Sequence, residues 1–312
     1  MIAQSACFDC LQRQIHSLCS LLQIHDNTHI TQKICTILES AKSQSLMPPQ
    51  IAIDVYESFR QSTNLDDPFY EIKQESITQA HTIVQNLLRT CPPPFSQDSQ
   101  NRESMHDINA DSTSAYLDWA VRMAILGNVI DYGSQHSFDF KSANFDFKNL
   151  VFAHYDIQAF QEKLTHSRTL LYLADNAGEN IFDEILLRAL KTLYPHLHIY
   201  YAVRGEPIIN DLTLKDLFHP LAQNIQKYCT LLDSGVRSPG FVYEDSNAQT
   251  QTIYNNADVI LAKGMGNFEC LHTQNDERLF LLFKVKCDVV AVCCGAPKGE
   301  MMFIHCEKGV VC

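Results

Sequence analysis

Four short runs in the C-terminal half of the chain gather acid, amide, glycine and basic residues. They are Asp175-Asn176-Ala177-Gly178-Glu179, Arg204-Gly205-Glu206-Pro207, Asn210-Asp211 and Lys263-Gly264-Met265-Gly266-Asn267-Phe268-Glu269. A carboxylate oxygen beside an amide oxygen, as in Asp175-Asn176, suits a hard divalent cation such as magnesium or manganese. Gly178 lets backbone approach a ligand closely, and the helix that begins there offers N–H groups to an anion. Lys263, directly after an apolar run and followed by Gly264 and Gly266, is placed to meet a phosphate as a point charge. Glu269 reads either as a structural carboxylate or as a group that orients Lys263 or a bound water. Each run also has a plain reading: Asp175 and Asn176 can cap a helix, Asp211 can cap Leu212 to Leu217, and Lys263 can be a solvated surface lysine. The plain readings weaken together because every run follows an apolar segment. That is the edge of an open α/β sheet, where ligands bind.

The elements that must position these residues are legible as periodicity. Leu170 to Ala174, Ile199 to Val203, Thr230 to Asp233, Val259 to Ala262 and Val289 to Val292 are short apolar runs that read as buried strands. Helical stretches alternate with them, Ile181 to Leu193 the clearest, which predicts a mostly parallel sheet with helices on both faces. Before about Phe145 the pattern is helical. Leu11, Ile15, Leu18 and Leu22 recur at helical spacing, as do Ile34, Ile37 and Leu38. Pro48-Pro49 and Asp66-Asp67-Pro68 mark two further helix starts, and Ile72 to Leu88 lines a long helix that Pro92-Pro93-Pro94 stops. Ala115 to Ile130 is helical again, with Gly127-Asn128 readable as a C-terminal signal. Residues 1–145 are therefore expected to form a helical region that packs on an α/β catalytic domain, Rossmann-like in character, over 146–312.

Composition bounds the function. The chain has 312 residues, 46% of them hydrophobic and 19% charged, which describes a globular protein. Its formal net charge of -12 argues against nucleic acid or an anionic membrane as partner. No charged start leads into an apolar stretch, and no run of about 18 apolar residues occurs, so a soluble cytoplasmic protein is expected. The glycine pattern lacks the third glycine of a dinucleotide loop and the lysine of a P-loop, and G-x-S-x-G is absent. Nicotinamide, P-loop and serine-hydrolase chemistry are poor readings.

The 12 cysteines divide into two kinds. Most read as small buried hydrophobes in a reducing compartment, including Cys229, Cys287, Cys293 and Cys294 in or beside strand-like runs. Cys7-Phe8-Asp9-Cys10 instead puts two thiols on one side of a turn, which suits zinc or redox chemistry. No second C-x-x-C or paired histidine closes a structural zinc site, so metal pair and coincidence both stand.

Taken together, DNAGE at Asp175–Glu179, RGEPIIND at Arg204–Asp211, KGMGNFE at Lys263–Glu269 and LFKVKCDVVA at Leu282–Ala291 resemble a known family. It is that of the metal-dependent damage-control phosphatases, once catalogued as a domain of unknown function and related to a protein described as an acidic-residue methyltransferase. CFDC at Cys7–Cys10, DPFYEIK at Asp67–Lys73 and GNVID at Gly127–Asp131 resemble its prokaryotic branch, so the likeness spans nearly the whole chain in order. The resemblance implies that Asp175, Asn176 and Asp211 bind a divalent metal (Mn, Mg, Co or Ni). It also implies that Lys263 lies at the phosphate with Glu269 nearby, and that Arg204, Gly264 and Asn267 contribute to substrate binding. The family often carries lysine at the position of Arg204, and the two cations are not equivalent at a phosphate.

The expected activity is metal-dependent hydrolysis of a small phosphorylated metabolite, a sugar phosphate or a damaged phosphometabolite. Asp175, Lys263 and Glu269 are the expected catalytic residues. Either water or Asp175 itself is the nucleophile, and water is preferred because Asp175 is committed to the metal. Asn128, Asp131 and Lys73 are expected near the mouth of the cleft. Two other classes remain: a carboxyl methyltransferase using S-adenosylmethionine, which needs no divalent metal, and a non-catalytic metal- or redox-binding module built on Cys7 and Cys10.

Overall fold

A computed structural model of the chain describes residues 1–94, 110–129 and 150–307. The N-terminal helices are α1 (Ser5–Leu21), α2 (Thr28–Ala41), α3 (Pro48–Thr63), α4 (Tyr70–Thr90) and α5 (Ala110–Val129). They match the sequence periodicity, and Pro48 and Pro49 sit at the start of α3 as a proline in the first turn allows. Helices α1 to α3 close an apolar core of their own around Ile15, Leu18, Ile34, Val55 and Phe59, joined by Ile208. Gly127 lies inside α5 and is not a stop: a Cβ there would come within 3.1 Å of the Glu179 Cα. It is therefore a point of close approach between α5 and the backbone at Glu179.

The rest is a mixed α/β fold. Strands β1 (Phe152–Tyr155), β2 (Thr169–Leu173), β3 (His198–Val203), β4 (Thr230–Asp233), β5 (Val259–Lys263), β6 (Leu279–Lys284) and β7 (Met301–His305) form one sheet in the order β1-β7-β6-β5-β2-β3-β4. Strands β6, β5, β2, β3 and β4 are mutually parallel. β7 is antiparallel to β6, and β1 is parallel to β7. Helices α6 (Ile157–Thr165), α7 (Glu179–Leu193), α8 (Ala248–Asn256), α9 (Met265–Leu271) and α10 (Asp288–Cys294) complete it.

Strand alternation sorts the core into two faces. Leu170, Tyr172, Tyr201, Leu261, Phe280 and Phe303 pack with residues of α4, α5, α6 and α7. Leu171, Leu173, Ile260, Leu281, Phe283 and Ile304 pack on the other face with residues of α8, α9 and α10. Lys263 falls on the α7 face by the same period of two.

Two expectations need correction. Val289 to Val292 is not a fifth strand but lies in α10. Both sides of β6 are already paired, by β5 and β7, so no edge there awaits a strand. The Cys287 sulfur accepts the Val290 N–H at the helix start, and Gly295 ends it with φ 65°. Val290 and Cys293, three apart, are buried while Val292 is 83% exposed, a helical pattern that a short apolar run conceals. Cys287, Cys293 and Cys294 thus belong to this helix and its cap. Leu212 to Leu217 is likewise no α-helix: only Asp216–Phe218 forms a short 3-10 turn, with Asp216 accepting from the Thr213 N–H and hydroxyl. Among the described residues, no helix is long and apolar enough to cross a membrane.

Candidate metal and phosphate site

Strands β2, β3 and β5 are neighbours, and their C-terminal loops meet. The loops after β2 and β3 are zipped together: Ala177 N–H donates to the Asn210 carbonyl at 2.9 Å, and Leu212 N–H to that of Asp175 at 2.9 Å. An isolated bridge pairs Asn176 with Asp211. Asp175, Asn176 and Asp211 are brought side by side by backbone pairing before any side chain acts. The capping reading fails, because the residue preceding α7 is Gly178 and no side chain caps it. Nor is the start of α7 a vacant anion cradle. The N–H groups of Gly178, Glu179 and Ile181 already bond to Asn180 Oδ1, the Asn176 carbonyl and the Gly178 carbonyl.

Asp175 is buried, and Gly264 faces it. A Cβ on Gly264 would fall 1.9 Å from Asp175 Oδ2, so only glycine fits there. Asn176 Nδ2 donates to Asp175 Oδ2 at 3.1 Å and Asn128 Nδ2 at 3.3 Å. Burial drives the Asp175 carboxyl well above the usual carboxylate range. Repulsion from Glu179 and Asp211 adds to that, and Lys286 and Arg204 partly oppose it. Asp211 is also buried. Its carboxyl is pushed up to about 6 by burial, against the pull of Arg204, whose Nε donates to Asp211 Oδ1 at 2.8 Å.

Arg204 is fully engaged in the protein. One terminal nitrogen donates to the Pro239 carbonyl at 2.9 Å, and both reach Asn267 Oδ1 at 3.5 Å. Asn267 in turn accepts from the Phe241 N–H at 2.8 Å and donates to the Lys263 carbonyl at 2.6 Å. Both residues, expected at the substrate, here brace Asp211 and tie the loop after β5 to that after β3.

Lys263 was expected to offer a free charge to phosphate. It lies instead wholly buried, with Nζ 2.8 Å from Glu179 Oε2 and 2.7 Å from Asp183 Oδ1. Burial alone would discharge it, but Asp183 and Glu179 hold it protonated, its pKa raised above the ordinary lysine value. Burial would likewise raise Glu179, yet the ammonium groups of Lys263 and Lys286 keep that carboxyl below its ordinary value. Asn176 Nδ2 donates to Glu179 Oε1 at 2.9 Å, and Asn128 donates to Oε2.

The remaining expected residues divide. Asn128, from α5, is buried in the floor of the site rather than at its mouth, bridging Asp175 and Glu179. Asp131 lies outside the described residues. Lys73 is not at the mouth either: it is buried and paired with Asp67 at 2.5 Å and Asp216 at 2.8 Å, clasping α4 to the loop beyond Asp211. Glu269 does not orient Lys263, a task that Glu179 and Asp183 perform. Its backbone carbonyl accepts from the Met1 ammonium at 2.6 Å, and burial pushes its carboxyl up to about 8. Cys7 and Cys287 are near enough for Glu269 to raise their thiols further, after burial. Among the described residues no three His, Cys, Asp or Glu side chains converge as a ligand set, at Cys7 and Cys10 or elsewhere. We expect the Cys7→Ser, Cys10→Ser double variant to keep at least half of the wild-type phosphate release, because among the described residues neither thiol hydrogen-bonds to the Asp175–Glu179 run. Loss of turnover in a folded, metal-replete double variant would overturn that.

Asp183 and Lys286 escaped the sequence reading, and Glu179 stood in the Asp175 run with no role of its own. Glu179 and Asp183 are one turn apart on the buried face of α7, a pair of acids where apolar side chains belong. That misplacement was the signal available. Lys286 is half-buried just past β6, and its charge lowers the pKa of both Asp175 and Glu179. It was hidden within the KVKC run.

A divalent cation fits this donor set. Two buried carboxylates, both raised by burial and crowding, would be relieved by positive charge between them. The Asn176 amide spends its N–H groups on Asp175 and Glu179, and its oxygen takes no part in those contacts. An all-oxygen set of Asp175, Asn176 and Asp211 suits a hard metal.

Residues 3–302 match the model of the damage-control phosphatase ARMT1-like domain. Damage-control phosphatase PH1575 of Pyrococcus horikoshii is 30% identical over 239 residues, covering 76% of this chain and 74% of that protein. A damage-control phosphatase of Archaeoglobus fulgidus is 28% identical over 271 residues, 85% of each. The crystal structure of a DUF89 family protein (PH1575) from Pyrococcus horikoshii superposes with a TM-score of 0.74 at 26% identity, covering 98% of this chain and 99% of that one. The chain belongs to the damage-control phosphatase ARMT1-like family.

Proposed function

We propose that the protein is a divalent-metal-dependent phosphatase that hydrolyses the monoester of a small phosphorylated metabolite. One observation carries the reading: backbone pairing between the loops after β2 and β3 sets Asp175, Asn176 and Asp211 side by side where strands end. Family membership supports the reaction class.

Asp175, Asn176 and Asp211 would hold the cation, which supplies Lewis-acid polarisation of a phosphoryl oxygen and offsets its charge. Arg204 fixes the Asp211 carboxylate, so the charge of that pair is spent inside the protein. Asn128 and Asn176 place N–H donors between Asp175 and Glu179, which keeps two like charges apart. Lys286 is the cation beside these carboxylates that is not clasped by an ion pair among the described residues, and it meets the phosphoryl charge. A protein of net charge -12 needs such a local cation to hold an anion.

The test is phosphate release from a metabolite panel, after chelation and after return of manganese, magnesium, cobalt or nickel. Release is expected only with metal. Turnover that survives chelation, or metal-independent methyl transfer from S-adenosylmethionine to a carboxylate, would defeat the reading. Lys286→Met is expected to lower kcat/KM about 100-fold, the range for one preorganised electrostatic donor. Unchanged kcat and KM would remove Lys286 from the site.

A further inference from the structure

Beneath the proposed site runs a chain of buried polar groups that ends at the half-buried Asn176. Tyr172 on β2 and Tyr201 on β3 are paired in register, and both hydroxyls donate to Asp183, at 2.7 Å to Oδ1 and 2.7 Å to Oδ2. Asp183 Oδ1 also accepts from Lys263 Nζ at 2.7 Å, and Lys263 holds Glu179 Oε2 at 2.8 Å. Glu179 then accepts from Asn176 Nδ2 at 2.9 Å. Tyr172, Tyr201, Asp183 and Lys263 are all 0% exposed. An apolar cluster of the same volume would be at least as stable, because two carboxylates and an ammonium lose their hydration here. The arrangement thus has little to offer folding alone. It ends on the amide of a residue in the cation set, and it links α7 to β2, β3 and β5, the strands whose loops form the site.

We propose that Asp183 is a positioning residue for the cation site, acting through Lys263 and Glu179 to fix the carboxamide of Asn176. The proposal rests on the phosphatase reading and deepens it. Asp183 accepts two tyrosine hydroxyls, so its third bond holds Lys263 at one place. Lys263 then holds Glu179, and both N–H contacts of Asn176, to Glu179 and to Asp175, are oriented by that anchor. Outer groups of this kind commonly alter metal affinity when changed.

The test is manganese titration by calorimetry, with kcat measured alongside, in wild type, Asp183→Asn, Tyr201→Phe and Leu186→Ala. Leu186→Ala opens a cavity in the core beside the same helix and removes none of the chain's hydrogen bonds or charges. Asp183→Asn is expected to raise the manganese Kd roughly 10- to 100-fold and to lower kcat by a similar factor. Tyr201→Phe, which removes one hydrogen bond and leaves the charges, should raise Kd by less and keeps the test alive should Asp183→Asn fold poorly. Leu186→Ala should lower the melting temperature and leave Kd unchanged. Wild-type Kd in folded Asp183→Asn or Tyr201→Phe, or a Kd rise in Leu186→Ala equal to theirs, would overturn the positioning role alone. A wild type that binds no divalent metal would overturn the phosphatase reading, and the proposal with it.

Discussion

Asp175→Asn is expected to lose metal-dependent turnover by at least ~100-fold while its metal-free form melts at or above the wild-type temperature. The reason is in its surroundings. The Asp175 carboxylate is buried, crowded by Glu179 and Asp211, and held well above the usual carboxylate range without a metal. Removing that charge relieves the empty site and removes a ligand from the loaded one. Asp211→Ala should lose turnover equally but behave differently in stability. Asp211 is the acid beside Arg204 Nε at 2.8 Å, and both are buried. Stripping the acid from a buried pair leaves an uncompensated guanidinium, at a cost of about 3–5 kcal/mol. Thermal melting of the two metal-free variants, with phosphate release measured alongside, checks both arms. Full turnover in either variant would end the ligand assignment of that residue. Equal melting temperatures would mean that another carboxylate balances the Arg204 charge.

Gly264→Ala is expected to abolish manganese binding and to destabilise the protein. Gly264 has φ 88° and ψ 161°, a conformation essentially closed to other residues, so the backbone alone costs roughly 1–3 kcal/mol. The added Cβ would also sit 1.9 Å from Asp175 Oδ2 and 2.1 Å from its Cγ, driving the carboxylate from its place. Gly295→Ala separates the two effects. Gly295 has φ 65° and nothing within 4 Å of the Cβ it would gain, so strain alone should appear as a lower melting temperature with unchanged metal affinity. Manganese binding of wild-type strength in Gly264→Ala would show that Asp175 moves without consequence.

Much of the architecture could be read from order and period. Helices α1 to α5 follow apolar spacing, and β2, β3, β4 and β5 follow short apolar runs that end at acid, arginine or lysine. The loops carrying Asp175, Arg204, Asp211 and Gly264 could be placed at one sheet edge for that reason. Strands β1, β6 and β7 were not legible. β1 is a four-residue edge strand, and β6 and β7 were masked by the more strand-like Val289 to Val292 beside them. Period alone cannot sort a short apolar run, and the paired edges of β6 decided it.

The sequence by itself determined which residue types gather at the strand ends and which of them suit a hard cation. Only the tertiary structure decided what each charge does there. Lys263 follows a strand and precedes a glycine, as a phosphate-binding lysine would, yet two carboxylates from α7 claim it. Arg204 is spent on Asp211, and Asn128 arrives from a helix 47 positions before Asp175 to share its carboxylate. Lys286, in a run with no obvious chemistry, stands close enough to shift both Asp175 and Glu179. Periodicity is local, but the energy of a charge depends on burial and on partners distant in sequence. Those follow only once the helices are packed on the sheet.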